Sequence, residues 1–65
     1  MEKWVIYRNN GSEFIGGPEI DYQITKDKTK ALVFSSEIQA IDYKKFYDEE
    51  SIKSGNGRWM VQKIN

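Results

Sequence analysis

The sequence predicts an α+β domain: a small, mostly antiparallel sheet of four to five short strands with one helix packed on it, in the order β-β-β-β-α-β. Three observations lead there. Residues 35–54 form the one stretch long and periodic enough for a helix. Asn9-Asn10-Gly11 stands between two apolar runs, which is a strong hairpin signal because both Asn and Gly accept positive φ. The other apolar runs are rich in β-branched and aromatic residues and too short for helices, so they read as strands.

Lys3-Trp4-Val5-Ile6-Tyr7-Arg8 is the first of these strands, with Trp4 and Ile6 on one face and Val5 and Tyr7 on the other. Glu13-Phe14-Ile15-Gly16 returns after the turn. Gly16-Gly17-Pro18 then breaks the pattern, because proline has no amide donor for a ladder. Asp21-Tyr22-Gln23-Ile24-Thr25 alternates as a third strand, and Lys26-Asp27-Lys28-Thr29-Lys30 is a polar connector. Ala31-Leu32-Val33-Phe34 is a continuous apolar run that reads as a short buried strand leading into the helix.

The helix start is marked by Ser36 and Gln39 at capping-box spacing, with Ser35 as the other candidate cap. Gly55-Asn56-Gly57 supplies residues able to end it in a left-handed conformation. Arg58-Trp59-Met60-Val61-Gln62-Lys63-Ile64 is the final strand, Trp59 and Val61 on one face and Met60 and Ile64 on the other. No composition shift or linker divides the chain, so residues 1–65 are read as one domain.

Composition narrows the chemistry. The chain has neither cysteine nor histidine, which removes thiolate nucleophiles, disulfides, the commonest general base and the commonest transition-metal ligand together. Asp48-Glu49-Glu50 is the densest carboxylate group, but consecutive helical residues point in three directions and do not converge on a substrate. The run reads as a solvated helix end, in a place where the macrodipole disfavours negative charge. Gly55 and Gly57 form G-x-G ahead of a strand and not a helix, so they read as a turn and not a phosphate loop. The expectation is a protein with no enzymatic activity, no cofactor and no metal.

Ten basic and ten acidic residues cancel, so the long-range field that draws proteins to nucleic acid is missing. Lys26, Lys28 and Lys30, interrupted by Asp27, read as a turn. No apolar run approaches the roughly twenty residues of a membrane span, and the amino terminus lacks a signal-peptide pattern. A cytoplasmic location is therefore expected.

At about 100° per residue, Ala40, Tyr43 and Tyr47 share one side of the helix, with Phe46 on its flank. Ile38, Ile41 and Ile52 lie on roughly the opposite side, beside Lys45. A helix covering one face of a sheet needs one apolar stripe, and this one has two. The second stripe reads either as scattered exposed isoleucine or as a surface covered by another chain, a copy of itself or a foreign target, made of Ile38, Ile41, Lys45 and Ile52 with Asp48 and Glu49 at its edge.

Lys30-Ala31-Leu32-Val33-Phe34-Ser35-Ser36 followed by Gln39-Ala40, with the opening Trp4-Val5-Ile6 and the closing Gly57-Arg58-Trp59-Met60-Val61, resembles the layout of very small accessory proteins of phages and prophages of low-GC Gram-positive bacteria. The Ile38-Gln39 pair departs from that pattern, which usually carries two acids there. The resemblance implies a phage accessory product, a class that includes inhibitors of host nucleases and antiphage defence systems. The expected function is thus a small protein-binding module that inhibits a host or defence protein by occluding its surface. The alternative is a homodimeric module that holds a small molecule or single-stranded nucleic acid.

Overall fold

The computed structural model of the chain describes residues 2–16 and 23–64. Within them lie four strands, β1 (Trp4–Arg8), β2 (Glu13–Gly16), β3 (Gln23–Thr25) and β4 (Met60–Lys63), and one helix, α1 (Glu37–Lys53). The expected break at Gly17-Pro18 and the Asp21-Tyr22 start of the third strand lie outside the described residues. The α+β class is as expected: a four-stranded antiparallel sheet, ordered β3-β2-β1-β4, carries the single helix.

The hairpin between β1 and β2 turns through three consecutive residues of positive φ, Asn9 at 55°, Asn10 at 57° and Gly11 at 85°. Side-chain volume is no obstacle there, and Ser12 closes the turn by donating to the Asn9 carbonyl from both its amide (3.1 Å) and its hydroxyl (2.8 Å).

The β1/β2 ladder itself is short. Tyr7 pairs with Phe14 and Arg8 with Glu13, and beyond that the two strands splay. The opening is filled by residues 31–34. Gly16, already paired with Gln23 on its β3 side, bridges to Ala31 on the other; Trp4, already paired with Lys63 on its β4 side, bridges to Phe34. Leu32 donates to the Ile15 carbonyl at 2.9 Å between these two bridges. This corrects the sequence expectation for 31–34: the run is not a separate strand but a wedge, held by a bridge at each end. Ala31 is buried, whereas Val33 between the bridges is exposed, so the wedge buries its ends more than its middle. A polar 3₁₀ turn at Lys28–Lys30 leads into it, capped by Asp27, which accepts from the Thr29 amide (2.9 Å) and hydroxyl (2.6 Å).

Both faces of the sheet bury a cluster of side chains. Ile6 and Ile15 meet Ala40 and Trp59 in the layer beneath α1, with Trp4, Phe34, Tyr43, Tyr47 and Val61 around them. Val5, Phe14 and Ala31 form the core of the opposite face, flanked by Tyr7 and Ile64. These are the face assignments the period-two alternation predicts.

Helix α1 starts at Ser36, whose hydroxyl accepts from the Gln39 amide at 3.2 Å. Only this half of the capping box forms as expected, because the Gln39 side chain instead accepts from the Ser35 hydroxyl at 2.9 Å. Both candidate serines are therefore used. At the other end Gly55 (φ 79°) donates to Ile52 at 3.0 Å and Asn56 to Ser51 at 2.9 Å, the paired bonds of a Schellman motif.

Candidate functional site

The buried side of α1 is set by Ala40 and Ser51, with Tyr43 and Tyr47 half-buried beside them. Phe34, Tyr43 and Tyr47 form a row of tilted rings with centroids 5.2 and 5.3 Å apart. Burial, then the hydrogen bond with Tyr47, pushes the Tyr43 phenol above its ordinary range.

On the opposite side the helix is uncovered. Ile38 is 71% exposed and Ile52 47% exposed, while Ile41 is half-buried at the boundary with the core. Phe46 is 79% exposed and stands on the flank of the Tyr43 stripe, as the sequence reading puts it, about 90° from the mean direction of Ala40, Tyr43 and Tyr47. Its ring meets that of Tyr47, with centroids 6.5 Å apart.

The charged residues of the second stripe divide by environment. Lys45 and Glu49 are well exposed and make only loose intrahelical pairs, Lys45 with Asp42 at 3.9 Å and Glu49 with Lys53 at 3.2 Å. Asp48 differs. Its side chain is 17% exposed, one oxygen accepts from Lys44 at 2.7 Å, and the other accepts from the Trp59 backbone amide at 2.8 Å. The acidic run is thus not uniformly a solvated helix end. Asp48 ties the helix to the residue that leads into β4, and only Glu49 and Glu50 project into solvent.

The loop after α1 brings a further group alongside. Lys45, Asp48, Glu49, Ile52, Lys53 and Arg58 line an open groove of ≈ 540 Å³ between the end of the helix and the approach to β4. Four of the six residues expected to bind a partner therefore share one depression, and Ile38 and Ile41 continue the same side of the helix towards its start. Lys53 and Arg58 were not in the expected set. Lys53 lies one residue beyond Ile52 and is legible as part of the face once the stripe is widened, but Arg58 arrives from the other side of the Schellman turn, which helical periodicity does not describe.

A second polar centre lies within the fold. Arg8 is 6% exposed; its Nε donates to Glu13 at 2.7 Å, an Nη donates to the Ser51 hydroxyl at 2.7 Å, and its guanidinium lies 4.2 Å from the centroid of the Trp59 ring. Ser51 passes the chain on by donating to the Gly57 carbonyl. The hydrogen bond from Arg8 is the main cause that holds the Glu13 carboxyl below its ordinary range. The constellation joins β1, β2, α1 and the Gly57 loop.

No described helix is long and apolar enough to cross a membrane. No protein-family model, no curated protein and no solved structure matches the chain.

Proposed function

We propose that this protein is a non-enzymatic binding module that docks another protein on the uncovered side of α1, and that it acts in the cytoplasm of a host cell as a phage-encoded inhibitor of a host or antiphage-defence protein. One observation carries the docking surface: Ile38 and Ile52 are exposed on the helix side turned away from the sheet, with Phe46 exposed on its flank and an open groove beside Ile52. Helix faces of this kind are read by partners through anchors spaced along successive turns. The inhibitory role rests on the resemblance in layout to phage accessory proteins, and occlusion is the mode suited to a chain without histidine or cysteine.

The test uses Ile38→Asp with Ile52→Asp, because both side chains are exposed and the fold does not depend on them. Ile41 is half-buried and a charge there would confuse instability with lost binding. The doubly substituted chain is expected to melt within about 0.5 kcal/mol of the wild type, the usual range for surface changes, and to lose the host protein that the intact chain captures. Unchanged capture by a folded double variant would remove the surface from consideration. A salt-dependent shift with single-stranded DNA in place of protein capture would point to the nucleic-acid alternative.

A further inference from the structure

We infer that, when no target is bound, the uncovered side of α1 closes on a second copy of this chain, in an antiparallel pair with its two-fold axis near Tyr47. The inference rests on the docking surface proposed above and names its second occupant. What identifies that occupant is the order of charge along the helix. Asp42, Lys45, Glu49 and Lys53 are each two-thirds or more exposed and read −, +, −, + towards the carboxyl end. At about 100° per residue they fall within one band roughly 80° wide. Reversed, the same row reads +, −, +, −.

A two-fold axis perpendicular to the helix performs that reversal. It sets Lys45 opposite Glu49 of the second copy and Asp42 opposite Lys53 of the second copy, and each pair occurs twice because the contact is isologous. A parallel pair would oppose like charges at all four positions. The existing intrahelical pairs do not compete strongly, since exposed pairs of this kind are weak and readily shared.

The apolar residues fall into place under the same operation, although they were not used to choose it. Phe46 lies to one side of the charged band and about one residue from the axis, so with a rise of 1.5 Å per residue the two Phe46 rings come within about 4 Å of each other along the helix. Ile52 and Ile41 lie to the other side. The axis brings Ile52 of one chain to within about 2 Å, along the helix, of the level of Ile41 of the second copy. The groove beside Ile52 is then where Ile41 and Ile38 of the second copy arrive, and its open side is covered. Target and second copy compete for one surface, so a target draws on the monomer.

The test needs no target. One variant carries Lys45→Glu with Lys53→Glu, which makes the row wholly acidic; the other carries Asp42→Lys with Glu49→Lys, which makes it wholly basic. In sedimentation across a wide concentration range the wild type is expected to form dimers, each variant alone to stay monomeric, and the equimolar mixture to regain the dimer. A second measurement uses the absence of native cysteine: Phe46→Cys is expected to form the intermolecular disulfide about tenfold faster or more than Met60→Cys, an exposed site on the far face of the sheet, because a held pair raises the local thiol concentration. A wild type that sediments as a monomer throughout, variants that associate as the wild type does, or equal crosslinking at the two cysteine sites would each overturn the inference. Because no target is present, those outcomes leave the docking proposal standing, and loss of that proposal in the capture experiment leaves the crosslinking result untouched.

Discussion

Arg8 shows how a single side chain holds the molecule together. A guanidinium that is 6% exposed has given up most of its hydration, and it is kept in place by Glu13, Ser51 and the face of Trp59 at once. Replacing it with methionine keeps much of the volume but leaves the Ser51 and Glu13 oxygens without their charged donor. Arg8→Met is expected to cost about 3 kcal/mol in urea unfolding, as breaking a largely buried pair does. Arg8→Lys should recover little, because a point charge cannot reproduce two divergent N–H bonds and a stacked plane. The pairing also sets an acid limit. The Glu13 carboxyl, held below its ordinary value of 4.5 chiefly by the hydrogen bond from Arg8, contributes stability that is fully present above that value and is lost as pH falls through the depressed one. Glu13→Gln is therefore expected to lower the melting temperature at neutral pH and to flatten its decline in acid. None of this was legible in the sequence. Period-two alternation puts Arg8 on the helix side of β1, but Ser51 lies 43 residues further along, and nothing local says that the two will meet.

At the scale of elements, the two ends of α1 and the hairpin turn were legible because their signals are local: Ser36 as a cap, Asn-Gly at positive φ, Gly55 after the last turn. Gly55 and Gly16 separate two uses of the same residue. Gly55 has φ 79° and open space where a Cβ would sit, so Gly55→Ala costs only left-handed backbone strain, about 1 kcal/mol, and Gly55→Asn should cost less. Gly16 has no such φ, but an added Cβ would come within 2.9 Å of the Thr25 methyl and 3.0 Å of the Lys30 carbonyl. Gly16→Ala should cost about 1–3 kcal/mol from crowding, and here Asn should be worse than Ala. Thermal melts of the four variants test both accounts, and the reversed rank of Ala and Asn at the two sites is the diagnostic outcome. The crowding at Gly16 comes from Thr25 of β3 and from the Lys30 carbonyl just ahead of residues 31–34, and that wedge of residues 31–34 was the least legible element. Its composition matches a buried strand, and only the early splaying of the β1/β2 ladder makes it an insert between two strands instead.

At the scale of the whole molecule, two apolar stripes on one helix were the feature of the sequence that a monomer of this size does not absorb. The sheet takes Ala40, Tyr43 and Tyr47, and Ile38, Phe46 and Ile52 remain outside. Four of the six expected contact residues meet in one groove, but Asp48 among them also has an internal task at the Trp59 amide. Asp48→Asn keeps the acceptor for that amide and is expected to lower stability less than Asp48→Ala, with about 1–3 kcal/mol lost in the latter from leaving a partly buried donor unmatched. If α1 pairs with a second copy, the melting temperature of the wild type should also rise with protein concentration, while those of the all-acidic and all-basic variants should not.

The pairing of β4 with β1 has a consequence for how the chain is made. Trp4 to Tyr7 find their partners at Lys63 to Met60, almost the entire length of the sequence later. A ribosome delivers β1 long before β4, so a nascent chain holds Trp4 and Ile6 without the strand that borders them until β4 has been made. Contacts of such long range close slowly and late. A prematurely stopped product that lacks the final strand would thus be sticky as well as incomplete, and a natural substrate for chaperones and proteases.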